Sequence, residues 1–247
     1  MKKSVLSLSN VSFEYPGGRK ALRNVSFEAA DRDTLGIVGP SGAGKTTLLL
    51  HLNGLLRGPG EVAVCGEIVT RDNLARIRSR VGVVFQDPND QLFMPTVLED
   101  VLFGPSCLGM EAEKAKATAV RILKAFGLGE EFDSPPDLLS LGQKKKAAFA
   151  GVLVMEPVIL VLDEPTANLD PRARRLLIDD LRRLDNTKVI ASHDLDFVWA
   201  TCDRVLLLDG GAVVAEGPCR DVLRDRELLE AHGLEVPLSA FVETSRP

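Results

Sequence analysis

Leu35-Gly36-Ile37-Val38-Gly39-Pro40-Ser41-Gly42-Ala43-Gly44-Lys45-Thr46-Thr47 is the stretch on which the reading of this chain turns. Its first four residues read as a short buried strand. An apolar helix is expected from about Lys45 to Leu56, where Gly58-Pro59-Gly60 interrupts. Residues 39–46 fit GxxxxGK[ST] in the strand–loop–helix setting that gives this pattern its mechanism. Glycines without a Cβ let backbone N–H groups curl around an anion, and the helix start adds partial positive charge. Lys45 reaches the terminal phosphates and the Thr46 hydroxyl can bind Mg²⁺. Gly39, Pro40, Ser41, Gly42, Ala43, Gly44, Lys45, Thr46 and Thr47 are therefore expected to hold a nucleotide.

Further along, Val158-Ile159-Leu160-Val161-Leu162-Asp163-Glu164 places two acids directly after a buried apolar strand. Ligands of open parallel sheets bind at the carboxyl ends of strands, where the phosphate loop also emerges. Asp163 is expected to hold Mg²⁺, directly or through water, and Glu164 to orient or deprotonate an attacking water.

Around these motifs, alternating residues at 4–15 and 22–28 flank Pro16-Gly17-Gly18 and predict two antiparallel strands. Strands are expected near 61–69 and 81–86 as well, the latter ending on Gln86. Ala112, Ala115, Ala119, Ile122, Leu123 and Phe126 recur at helical spacing before Gly127, and another helix begins near Ser140. Asp170 can cap a helix with Pro171 at its first position, whose apolar face is read as Ala173, Leu176, Leu177, Leu181 and Leu184. Val189-Ile190-Ala191-Ser192 is a strand, and Asp209-Gly210-Gly211 signals a hairpin within 205–215; residues beyond about 225 say little. Strands alternating with helices predict an α/β parallel sheet, with an antiparallel beginning and a helical insertion at roughly 88–155.

Composition narrows the class. The 247 residues are 45% hydrophobic and 26% charged with a formal net charge of −5, so a single compact unit is expected and nucleic acid is not the expected partner. The run Lys144-Lys145-Lys146 reads as a solvated face. No stretch approaches the ~20 apolar residues that span a bilayer, and no apolar block follows Met1-Lys2-Lys3-Ser4. Cys65, Cys107, Cys202 and Cys219 match no metal spacing and read as reduced thiols.

Taken together the motifs resemble those of the ATP-binding cassette (ABC) family, over roughly residues 5–220. The resemblance implies a P-loop NTPase (RecA-like) core with an antiparallel β subdomain, about 1–87 and 156–220, a helical subdomain at about 88–155, and a tail at 221–247. It implies an ATPase that uses ATP and Mg²⁺. Tyr15 sits where the family stacks an aromatic on adenine. Gln86 resembles the glutamine that senses metal and lytic water. Leu139-Ser140-Leu141-Gly142-Gln143 is similar to the signature LSGGQ, in which Ser140, Gly142, Gln143 and the helix start contact the γ-phosphate. Ala167-Asn168-Leu169-Asp170 resembles the loop through which two cassettes communicate, and His193 the switch histidine. Glu164, His193, Gln86 and Lys45 are thus the expected catalytic set, and Thr46, Gln86 and Asp163 the metal set. Leu141 departs from the signature's glycine: strained if the backbone there has φ > 0, tolerated if it is helical. The expectation is an intact site with slower turnover.

In the family two cassettes stack head to tail, each signature completing the other's ATP site, so a second ATPase subunit is implied. The segment Gln86-Asp87-Pro88-Asn89-Asp90-Gln91-Leu92-Phe93, with His193–Val198 and Gln143–Lys146, is similar to energy-coupling factor transporters, particularly cobalt and nickel importers. That implies a transmembrane coupling subunit and a substrate-binding membrane subunit, with this chain peripheral on the cytoplasmic face and 86–103 receiving a coupling helix; the alternatives are an energy-coupling factor ATPase for a vitamin and a soluble ABC ATPase without a transport role.

Overall fold

The computed structural model describes residues 3–244. Two long strands, β1 (Ser4–Glu14) and β2 (Lys20–Ala30), pair antiparallel across the Pro16-Gly17-Gly18 turn as their alternation predicts. β3 (Thr34–Val38) is buried throughout and runs into the phosphate loop, followed by α1 (Lys45–Leu52). This helix ends earlier than its apolar run suggests, because Gly54 turns the chain at φ +68. The single strand expected at 61–69 is instead two, β4 (Glu61–Val64) and β5 (Glu67–Ile68). Cys65 and Gly66, both with positive φ, fold them into a tight hairpin. α2 (Leu74–Arg80) leads into β6 (Val81–Val84), which stops two residues short of Gln86.

The helical region contains α3 (Val97–Cys107), α4 (Ala112–Ala125) and α5 (Leu141–Leu153) around a core of Val97, Val101, Ala119, Leu123, Ala147 and Ala150. Thr96 and Glu99 cap α3 reciprocally. β7 (Ile159–Asp163), α6 (Pro171–Arg183), β8 (Thr187–Ala191), α7 (Leu195–Thr201) and β9 (Arg204–Asp209) restore the strand–helix alternation. In α6, Ile178 is buried and Leu176 is 44% exposed. The apolar face is therefore rotated from the one predicted, since residue 176 lies about 100° from the centre of the 173–177–181–184 stripe. β10 (Ala212–Pro218) returns through Gly210 and Gly211, and α8 (Cys219–Arg224), α9 (Arg226–Ala231) and α10 (Leu238–Thr244) follow. The expected tail reaches residue 247; its last three residues, like Met1 and Lys2, lie outside the described residues.

The larger sheet has the order β10-β9-β3-β8-β7-β6, parallel from β9 to β6 with β10 antiparallel at one edge; the smaller, antiparallel sheet runs β2-β1-β4-β5. One core joins the two sheets through Leu6, Leu22, Leu35, Ile37, Leu48 and Val161. A second covers the opposite face of the parallel sheet with Leu160, Leu162, Ile190, Phe197 and Leu207. Both faces of the parallel sheet are thus covered, which is why its strands are uninterrupted apolar runs. The polar ends of β3, β6, β7 and β8 emerge at one edge, and that edge carries the site. Among the described residues, no helix is long and apolar enough to cross a membrane.

Candidate nucleotide site

The loop after β3 is shaped by backbone crowding. Gly39 has φ +151 and Gly44 φ +105; a Cβ would lie 1.9 Å from the Leu208 carbonyl oxygen in the first case and 2.4 Å from that of Ala21 in the second. Neither position admits a side chain. Gly44 caps α1 without a side-chain hydrogen bond, and the first turn of α1 has no acidic residue, so its N–H groups remain available to an anion. Lys45 Nζ donates to the carbonyls of Gly39 (2.8 Å) and Pro40 (3.0 Å), bending the loop over its own ammonium. Burial pushes the Lys45 ammonium below its usual pKa, opposed by the carboxylates of Glu164 and Asp163.

Opposite the loop, Asp163 ends β7 and is buried. Burial is the main cause raising its carboxyl above the usual range; Glu164 adds to this, while the Thr46 hydroxyl donor and Lys45 pull the other way. The Thr46 hydroxyl and the Asp163 carboxylate thus meet as two hard oxygen groups, a pairing that fits Mg²⁺, whose charge would relieve the cost of an ionised buried acid. Gln86 lines the same cleft, with Tyr15, Arg19, Ser41, Gly42, Gly44, Thr47 and Glu164, around a volume of about 390 Å³. The Tyr15 hydroxyl lies 3.1 Å from Thr47 Oγ1, and its ring packs edge-on to Phe13 at 4.9 Å and stays 37% exposed.

Glu164 is held from several sides. Its backbone has φ +44, and its N–H donates to Ala191 O at 2.9 Å. Its carboxylate accepts the His193 N–H (3.0 and 3.2 Å) and the Ser192 hydroxyl (3.2 Å), and lies 2.8 Å from His193 Nδ1. The acid and the histidine, read separately from sequence, are therefore neighbours. Ser192 and Arg19, absent from the expected set, also belong to this region. Ser192 precedes the predicted His193, whereas nothing local in sequence distinguishes Arg19.

Other expected contacts do not line this cleft. Ser140 caps α5: its hydroxyl donates to Gln143 Oε1 (2.8 Å) and accepts the Gln143 N–H (3.4 Å), completing a capping box. Gly142 faces α6. Asp170 caps α6 through the Ala173 and Arg172 N–H groups, which hold its carboxyl below the usual range. Leu141 is the first residue of α5 and is not among the positive-φ residues, so its side chain sits on helical backbone without strain. The expectation of a solvated Lys144–Lys146 face fails: Lys145 is 6% exposed, Lys144 Nζ donates to Asn89 (2.8 Å) and Lys146 Nζ to Phe126 O (3.0 Å).

Comparison with known proteins adds to this geometry. The family model described as ABC transporter matches residues 22–167. A putative ABC transporter ATP-binding protein of Streptomyces coelicolor is 51% identical over 233 residues, covering 94% of this chain and 90% of that one. The energy-coupling factor transporter ATP-binding protein EcfA of Carboxydothermus hydrogenoformans is 46% identical over 237 residues, 94% of this chain and 87% of that one. Among solved structures, CbiO1 of Clostridium perfringens, described as part of the ABC transporter complex CbiONQ, superposes with a TM-score of 0.80 at 33% identity; the match covers 98% of this chain and 100% of that one.

Proposed function

Because the chain belongs to the ABC transporter family, as an ATP-hydrolysing subunit of the energy-coupling factor type, we propose that it powers import of cobalt or nickel ions through a membrane complex. The observation that carries the motor reading is the convergence of Lys45, Asp163 and Glu164 in one cleft at the carboxyl edge of the parallel sheet. The cargo reading is supported by the resemblance of residues 86–93, 143–146 and 193–198 to metal importers of that branch.

In this reading the phosphate loop and Lys45 grip the β- and γ-phosphates of ATP. Thr46 and Asp163, with Gln86, hold Mg²⁺, which when bound neutralises phosphate charge. Glu164 takes the proton of the attacking water, and His193, tied to it, contacts the γ-phosphate. Tyr15 stacks on adenine. Tyr15→Ala is expected to weaken ATP binding by about 1–3 kcal/mol and to leave inorganic triphosphate binding unchanged, as read by calorimetry; equal losses for both ligands would remove Tyr15 from the adenine site.

Ser140, Gly142, Gln143 and Asp170 serve a second cassette across a two-fold interface, so the working unit is a pair. The pair docks peripherally on the membrane. A groove of about 410 Å³ suits a coupling helix. It is rimmed by Leu55 and Met155 and by Phe93 and Phe103, two rings packed edge-on at 4.9 Å and exposed by 62% and 43%. Gln91 ties this groove to α5, accepting from Phe85 N (3.3 Å) and donating to Ala148 O (3.2 Å). The test is purification of the tagged chain from native membranes, followed by reconstitution and uptake. Co-purifying integral membrane proteins and ATP-dependent Co²⁺ or Ni²⁺ uptake are expected. A vitamin carried instead overturns the cargo, and the absence of any membrane protein overturns transport.

A further inference from the structure

The middle lysine of Lys144-Lys145-Lys146 points inward. Lys145 lies one turn past the Ser140 cap on α5, and its Nζ donates to Pro165 O at 3.0 Å and Glu164 O at 3.4 Å. Two backbone carbonyls take two of the three donors of this buried ammonium, and the carboxylates of Glu164 and Asp87 bear on it. A lysine placed so deep costs folding free energy unless its partners are well aimed, and an apolar side chain of similar length would fill the space without that cost.

The carbonyls it holds are those of the strained turn after β7. Glu164 occupies the left-handed region at φ +44, which a non-glycine residue adopts only where its surroundings over-determine it. Its carbonyl accepts from Ala167 N (3.0 Å) and from Lys145, so the ammonium is one of two donors that set the direction of this peptide. Release of that peptide would loosen the turn on which the Glu164 side chain is seated.

We propose that Lys145 is a positioning residue for hydrolysis, whose ammonium clamps the Glu164 and Pro165 carbonyls and thereby aims the Glu164 carboxylate into the cleft. The inference rests on the motor reading above and deepens it. Since α5 begins at the motif that serves the partner cassette, Lys145 is a direct strut from one nucleotide to the base acting on the other.

Steady-state kinetics of the full chain test this. Lys145→Met keeps the stem and removes the donor; kcat is expected to fall about tenfold, as misaimed catalytic groups do, with KM for ATP within twofold. Lys145→Gln retains an N–H donor without charge and should return kcat to within threefold of wild type. A kcat for Lys145→Met within twofold of wild type overturns the proposal, as does an equal loss in the Gln variant or a rise in KM that matches the fall in kcat. If the Met variant does not fold, Lys145→Ala takes its place, with the same outcomes deciding. ATP-driven pairing is measured alongside in Glu164→Gln and in Glu164→Gln/Lys145→Met. Its absence from both defeats the motor reading, whereas pairing in both with wild-type kcat in Lys145→Met defeats only the clamp.

Discussion

Glu164→Gln is expected to lower ATP turnover by about 10²–10⁴-fold and to trap an ATP-bound dimer. The substitution removes a proton acceptor and almost nothing else. Glu164 already accepts from the His193 N–H and the Ser192 hydroxyl, and a glutamine oxygen can keep the first. The Ser192 hydroxyl can rotate to accept from the new amide, and His193 Nδ1 can do the same in its other tautomer. The fold and the nucleotide cleft should therefore survive with the chemistry stopped. ATP would remain at the interface, where hydrolysis normally releases it. Light scattering should report a mass doubling with ATP and Mg²⁺ and a monomer without nucleotide. A variant that stays monomeric at saturating ATP and Mg²⁺ contradicts the proposed pair, and one that hydrolyses at the wild-type rate removes Glu164 from the reaction.

Lys45→Ala is expected to raise the Kd for ATP by about 10–150-fold, the equivalent of the 1.5–3 kcal/mol of a charged hydrogen bond. ATP hydrolysis should fall below detection. Lys45 bonds to the carbonyls of Gly39 and Pro40, which lie in the loop beside the cleft and can turn to water once the side chain is gone. The nucleotide-free protein should consequently melt within a few degrees of wild type. Burial already disfavours the charge on Lys45, and phosphates would supply the counter-charge that restores it. Calorimetry that found unchanged ATP affinity would mean that the loop N–H groups bind the phosphates alone.

Much of this site was legible because its chemistry leaves few choices of residue. A loop position whose Cβ would lie 2.4 Å from the Ala21 carbonyl oxygen must use glycine, and two acids after the buried run Ile159–Leu162 must end a strand. What escaped notice lacks such constraints. α2 buries Ile77 alone, so it has no apolar period to detect. α8 and α9 are six residues each, shorter than two helical turns. Three consecutive lysines look alike in sequence, yet successive positions on a helix point about 100° apart, so Lys145 turns to the strand-end carbonyls while Lys144 meets Asn89 and Lys146 the Phe126 carbonyl. The 61–69 segment carries strand-forming residues on both sides of Cys65-Gly66, and only the positive φ of both residues reveals the fold-back. Leu141 had two readings, and the start of α5 chose the helical one.

The reciprocal bond between Ser140 and Gln143 bears on how two cassettes part. In the single chain the Ser140 N–H and hydroxyl at the exposed tip of α5 already share the Gln143 amide oxygen. In the proposed pair a phosphate arriving at Ser140 would have to displace that oxygen, and one departing would let it return. Separation of the proposed halves would then exchange one acceptor for another, which would keep the grip shallow enough for a cycling motor to let go.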